Sequence, residues 1–222
     1  MSGEIAKKRP AAGRPPVLTS EERRARILAA AEKTFMTSGY GRATMEEIAR
    51  NSGMSKKTLY QFFSDKAQIF EALVEAQDLP PRLEMPAETG RDDLTETLRR
   101  GLVQFASYVL SGPQIALTRL VISEASHHPE MSRLFFGICV ERGRRQIAEF
   151  IGHFQKQGLL AATVDAETLA DVLVGGTFAM SHLSQLMMGN SDVGISTRTL
   201  ERDIGLRLNA LLQGFLPETG PR

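Results

Sequence analysis

The stretch Thr44-Met45-Glu46-Glu47-Ile48-Ala49-Arg50-Asn51-Ser52-Gly53-Met54-Ser55-Lys56-Lys57-Thr58-Leu59-Tyr60-Gln61-Phe62 decides the fold. Thr44 and Glu47 stand at capping-box spacing and open a short helix that stops at Asn51-Ser52-Gly53. Ser55 stands where it caps the next helix. Small Ala49 lies on the inner face of the first helix, where a second helix crosses closely, and Gly53 can take the positive φ of a tight turn. Ile48, Met54, Leu59 and Phe62 are spaced to lock the two helices together. The outer face of the second helix then reads Ser55, Lys56, Lys57, Thr58, Tyr60 and Gln61: hydroxyls, amines and an amide suited to phosphates and base edges. This is the layout of a helix-turn-helix, whose second helix offers its N-terminal residues to a major groove. Two short amphipathic helices around a glycine also occur where no nucleic acid is bound, so the surroundings must choose.

Upstream, Thr19-x-x-Glu22 makes a capping box, and Ile27, Leu28, Ala31 and Phe35 follow at helical spacing as far as Gly39. Downstream, Ser64-Asp65 starts another helix carrying Ile69, Phe70 and Leu73 inward. Residues 1–18 read as a flexible basic arm, with Lys7-Lys8-Arg9-Pro10 and Gly13-Arg14-Pro15-Pro16. Residues 1–66 hold 13 Lys+Arg against 7 Asp+Glu, a charge of +6, whereas the remainder holds 14 against 19, a charge of −5. A basic head on an acidic body fits a polyanion at the front and another task behind.

The 222 residues are 42% hydrophobic and 24% charged, which suits a globular chain and excludes wholesale disorder. No window approaches the roughly 18 uninterrupted apolar residues of a membrane span, and no membrane partner is expected. The cationic N-terminus lacks an apolar core of the secretory kind, and the single Cys139 cannot form an intrachain disulfide, so a cytoplasmic location is expected. Helical patterns recur near 91–111, 113–126, 130–157, 166–188 and 197–214, with no sustained alternation of strand type. The fold class is all-α. The expected domains are an arm at 1–18, a helix-turn-helix domain at 19–66, a helical ligand-binding and dimerisation domain at 67–216, and a tail at 217–222. Leu79-Pro80-Pro81 through Met85-Pro86 breaks the helical pattern between head and body.

Thr19 through Ala31, Phe35, Gly39-Tyr40, Thr44 through Ala49, and Gly53 through Lys66 together resemble the DNA-binding domain of the tetracycline-repressor (TetR) family, in order and essentially without a gap. Gln61 stands where a histidine is common, and Lys57 where a glycine or alanine is common; a long amine at that point can reach DNA. The resemblance implies a homodimer whose last two helices pair across the interface as a four-helix bundle. It also implies that Thr44 caps its helix and holds a phosphate, that Tyr60 and Lys66 hold phosphates, and that Lys56, Lys57, Thr58 and Gln61 lie along the groove. Lys57 and Thr58 are the expected base readers, and Arg42 is a further phosphate candidate. Gly13-Arg14-Pro15 resembles the core of an AT-hook, in which Arg14 enters a minor groove; a solubilising tail is the other reading. The stretch from Arg119 to Leu160 resembles the ligand domain of a TetR subgroup often linked to efflux or stress-response genes.

Helical spacing gathers Leu102, Phe105, Tyr108, Val109, Leu117, Val121, Phe135, Ile138 and Phe178 inward, with His182 as a polar neighbour. These residues either line a pocket for a hydrophobic or aromatic effector or form plain core. Gly175-Gly176 in the penultimate helix implies close helix approach, at the dimer interface, or room for a ligand. Leu183, Leu186, Met187, Leu200, Ile204, Leu208, Leu211, Leu212 and Phe215 supply either the seam of a dimer or an intrachain core. His127-His128 reads as a helix-end cap rather than a metal site, and Cys139 as an inert thiol. No cofactor or metal is expected, and no phosphate loop, nucleophile elbow or paired-carboxylate arrangement supports an enzyme. The expected function is a homodimeric, ligand-responsive DNA-binding regulator, a repressor released from a palindromic operator by a small hydrophobic effector. The alternatives are an activator or constitutive DNA binder without an effector, and a helical-bundle small-molecule binder or enzyme.

Overall fold

A computed structural model describes residues 18–76, 80–188 and 196–213. Helix α1 (Ser20–Ser38) begins at the Thr19 box, in which the hydroxyl accepts from the Glu22 amide at 3.1 Å and the Glu22 carboxylate accepts from the Thr19 amide at 2.7 Å. Helices α2 (Met45–Ser52) and α3 (Lys56–Phe62) follow, then α4 (Lys66–Ala76). Asp65 starts α4 by accepting from the Gln68 amide at 2.9 Å, which holds its carboxyl below the usual range.

The body comprises α5 (Leu94–Val109), α6 (Gly112–Glu124), α7 (Pro129–Phe135), α8 (Glu141–Lys156), α9 (Ala166–Met187) and α10 (Thr197–Leu212). Asp165 caps α9 by accepting from the Thr168 amide at 2.9 Å. The single helix expected over 130–157 is interrupted: Phe136–Val140 forms a π-helical turn between α7 and α8. Such a turn adds one residue to the helical register without ending the helix, and hydrophobic spacing alone does not reveal it.

Two apolar cores divide the molecule. The first joins α1 to α4 through Ile27, Phe35, Tyr40, Ile48, Leu59, Ile69 and Phe70, but it also takes in Leu117, Leu120 and Val121 of α6 and Met131 and Phe135 of α7. The second packs α5, α8, α9 and α10 around Leu98, Leu102, Phe150, Ile151, Phe154, Leu173, Ile204 and Leu208. The head therefore does not close its core alone. The segment 80–87 is laid along α8, whose Gln146 donates to the Pro81 carbonyl at 2.6 Å, while His153 Nε2 lies 2.7 Å from the Pro86 carbonyl. Leu83 anchors that segment in the second core.

No single helix among the described residues is long and apolar enough to cross a membrane. No strand is found among them either.

Candidate nucleic-acid interface and effector cavity

The turn between α2 and α3 is built as its residues dictate. Gly53 is left-handed at φ 70°, and its N–H meets the carbonyls of Ala49 and Arg50. The Met54 amide then donates back to Ala49 at 3.0 Å, closing a Schellman-type stop. Ile48 and Leu59 are wholly buried and hold the two helices together. Thr44 caps α2 by accepting from the Glu47 amide at 3.2 Å, and Ser55 caps α3 by accepting from the Thr58 amide at 3.0 Å.

The outer face of α3 presents Lys56, Lys57, Tyr60 and Gln61 to solvent, Tyr60 at 50% exposure. Thr58 is half-buried, and its hydroxyl lies 2.9 Å from that of Ser55. The two lysines differ. Lys56 pairs with Glu46 of α2 at 2.7 Å, a hydrogen bond that holds the Glu46 carboxyl below its ordinary range. The Lys57 ammonium has no such partner among the described residues. Arg42 is exposed, with Nε donating to the Ser38 carbonyl at 2.8 Å. Arg14 lies outside the described residues.

Lys66 departs from the expectation of a phosphate contact. Its ammonium donates to the carbonyls of Tyr40 and Gly41, at 2.8 and 3.0 Å, and lies 4.5 Å from the Tyr40 ring centre. The charge is used to tie α4 to the α1–α2 loop, so it is not presented on the outer face of α3. Around it, the Gly41 amide donates to Glu124 of α6 at 3.3 Å, and His128 packs edge-on against the Tyr40 ring at 5.0 Å. His128 Nδ1 lies 3.2 Å from a Glu130 oxygen. Tyr40 is buried in this cluster, and desolvation, then the charges of Glu130, Asp65 and Glu124, push its phenol up to about 12. The sequence signal for this joint was Tyr40 with His127-His128, which spacing alone did not connect.

A cavity of about 270 Å³ lies between the two cores. Phe105, Tyr108, Val109, Phe135, Phe178 and His182 line it, as the sequence reading grouped them. Four others do not. Leu102 is wholly buried in the second core, Leu117 and Val121 belong to the first, and Ile138 packs against the first. Helical spacing marks an inward face, but whether that face meets a void or another side chain depends on the neighbouring helix. Further wall residues, which the sequence did not mark as pocket, include Gln114, Thr118, Cys139, Val140, Ile147 and Val174. Arg144 and Asp171 also line the wall and form a two-pronged pair at 2.8 and 3.0 Å, with Glu167 adding a third contact at 3.0 Å. Hydrogen bonding to Asp171 pushes the guanidinium pKa up, so the group stays charged, and the Asp171 and Glu167 carboxylates balance that charge. His182 Nε2 is buried with no hydrogen-bond partner among the described residues, and burial lowers the imidazole pKa, favouring its neutral form. Burial likewise raises the Cys139 thiol, keeping it protonated.

The last two helices carry another correction. Leu200, Ile204, Leu208 and Leu212 are buried within the chain's own second core and cannot also form an outward seam. A Cβ on Gly176 would lie 2.6 Å from a Leu211 methyl, so this glycine serves the approach of α9 to α10 within the chain, while Gly175 faces open space. Leu186 is half-buried, and its carbonyl accepts from Arg119 Nε at 3.0 Å. Leu183 and Met187 are exposed at 47% and 76%, joined by Met180 at 66%. Phe215 lies outside the described residues.

Comparison with known proteins matches residues 27–73 to the N-terminal model of the bacterial regulatory proteins of the tetR family. Residues 96–204 match the C-terminal domain of AefR-like transcriptional repressors. The HTH-type transcriptional activator FasR of Mycolicibacterium smegmatis is 44% identical over 70 residues, 31% of this chain and 32% of that one, so the chain spans only about a third of that relative. The HTH-type transcriptional regulator TtgR of Pseudomonas putida is 29% identical over 163 residues, 68% of this chain and 74% of that one. The solved structure of the flavonoid-responsive regulator FrrA aligns with a TM-score of 0.76 at 24% identity, covering 90% of this chain and all of that one, a likeness of fold. The head's helix-turn-helix, the all-α body behind it and the two consecutive family matches make this chain a member of the TetR family of DNA-binding transcriptional regulators.

Proposed function

We propose that the protein is a homodimeric repressor that leaves a palindromic operator when a small apolar or aromatic effector enters the cavity. Phe135 carries this reading: it is packed in the head's core and also lines the cavity wall. A molecule that fills the cavity presses on a side chain to which the head is anchored. The head's position is then the two-state quantity that an effector biases. The exposed Met180, Leu183 and Met187 face of α9 is where a second copy packs, which sets two heads about one helical turn, ~34 Å, apart or a multiple of it. Thr44 and Tyr60 hold phosphates, with Arg42 in support, and Lys57 and Thr58 read bases alongside Ser55, Lys56 and Gln61. Work in a reducing cytoplasm follows from this role. Selecting bound genomic fragments and measuring binding at two salt concentrations tests the reading. A palindromic consensus that relaxes in Lys57→Ala supports it, and weak binding without a consensus overturns it. Because a relative 44% identical over 70 residues is named as an activator, a reporter assay on the recovered operator tests the sign of regulation.

A further inference from the structure

One face of α9 forms a wall of the effector cavity, with Asp171, Val174, Phe178 and His182 lining it at helical spacing. At the rise of an α-helix, Asp171 and His182 stand about 16 Å apart along the axis, and they mark two polar ends with apolar wall between them. The ends differ. At the first, Asp171 is held by Arg144 in the two-pronged pair, and Glu167 adds a third contact. That end satisfies itself. At the second, α6 is fixed against the close of α9, because Arg119 donates to the carbonyls of Leu186 and Gln185. Thr118, next to Arg119 and also in the cavity wall, donates its hydroxyl to the Gln114 carbonyl at 2.8 Å. Tyr108 and Gln114 are engaged as well. Of the described wall residues, only His182 carries a fully buried side-chain nitrogen or oxygen without a hydrogen-bond partner, its Nε2.

Leaving a buried polar atom unpaired costs free energy, and such an atom in a cavity wall is a place where an occupant gains. A half-turn of the imidazole about Cβ–Cγ exchanges Nε2 with Cε1, so the ring can turn this nitrogen to an occupant while the helix stays in place. A neutral imidazole bears one N–H and one bare nitrogen, and the tautomer decides which of them is Nε2. A hydroxyl answers either case, since it donates one hydrogen and accepts through its lone pairs. An anion is poorly served here. Burial favours the neutral imidazole, and Arg144 is already matched by two carboxylates, so the wall offers no free counter-charge.

We propose that the effector is a neutral hydroxylated aromatic molecule, whose ring lies among Phe105, Phe135 and Phe178 and whose hydroxyl hydrogen-bonds His182. This deepens the effector reading above and rests on it. Binding then supplies the hydrogen bond that the empty protein lacks, which an apolar molecule of the same shape does not.

Two naphthalenes of nearly equal shape test it on the full chain through their own fluorescence. 2-Naphthol keeps its proton at neutral pH and carries the hydroxyl; 2-methylnaphthalene has no polar group. In His182→Leu, the Kd of 2-naphthol rises roughly tenfold while that of 2-methylnaphthalene stays within about twofold, the coupling expected of one buried hydrogen bond. His182→Phe, which keeps a flat ring, gives the same split and stands in if leucine disturbs folding. Val174→Phe, or the milder Val174→Leu, narrows the cavity and weakens both probes. If the Val174 variants weaken both probes while the His182 variants shift both equally, or neither, the hydroxyl contact is overturned and the cavity reading stands. If the Val174 variants leave both probes untouched, the cavity reading falls and the proposal with it. 2-Naphthoate, the anion of similar shape, binds the native protein more weakly than 2-naphthol; tighter binding of the naphthoate overturns the neutral class.

Discussion

At the scale of single residues, two lysines of the head separate what sequence shows from what packing decides. Lys57 has no ion-pair partner among the described residues and sits on the outer face of α3. Lys57→Ala is expected to cost about 1–3 kcal/mol on the best operator and to relax preference at one base position, measured by binding to a panel of single-base variants. Lys66 looked equivalent in the sequence, since a lysine just after Ser64-Asp65 matches a family phosphate contact. Its ammonium is instead bonded to the Tyr40 and Gly41 carbonyls. Lys66→Met should therefore lower folding stability by about 1–3 kcal/mol, read by denaturant titration, as the loss of charged hydrogen bonds does. The salt slope of DNA binding should stay the same; a phosphate contact would reduce it by about one, and that result would restore the sequence reading. Backbone carbonyls competing for an amine leave no mark in spacing.

At the scale of elements, α9 and α10 show the same division. Their apolar periodicity was legible, but not which apolar stripe faces inward. Gly175 and Gly176 are a matched pair for testing this. Gly176→Val pushes a side chain into Leu211 and is expected to destabilise the fold by about 1–3 kcal/mol, as overpacking does. Gly175→Ala meets no atom within 4 Å, and alanine is the better helix former, so thermal unfolding should move upward by the equivalent of up to about 1 kcal/mol. The exposed stripe of α9 supplies the dimer in the proposed function. Leu183→Glu with Met187→Glu is then expected to sediment as a monomer and to lose tight operator binding; a variant that stays dimeric moves the interface elsewhere.

At the scale of the whole molecule, the joint between head and body sets the response to pH. Tyr40 in the folded chain keeps its proton up to about 12, whereas unfolded tyrosine releases it near 10. Stability from this burial is complete below pH 10 and is lost as pH rises from 10 towards 12. Tyr40→Phe should flatten that alkaline fall in a pH series of denaturant midpoints. His182 acts at the other end. Unfolded histidine takes up a proton near 6.5 before the buried ring does, so stability falls as pH drops below that value, and His182→Leu should lessen the fall. The all-α class, the helix-turn-helix and its caps could be read from local spacing, because each rests on residues three or four apart. The shared core could not, because Leu117 and Phe135 meet the head only through the path of the chain in space.

That sharing bears on exchange of parts between regulators. A head cut after residue 66 and joined to a foreign body would leave behind Ile69 and Phe70 of α4, and it would lose the five side chains that α6 and α7 contribute to the first core. A working graft must carry α4 with the head and supply a matching surface from α6 and α7. Retargeting this protein to a new operator is therefore better done by changing the outer side chains of α3 than by transplanting the head.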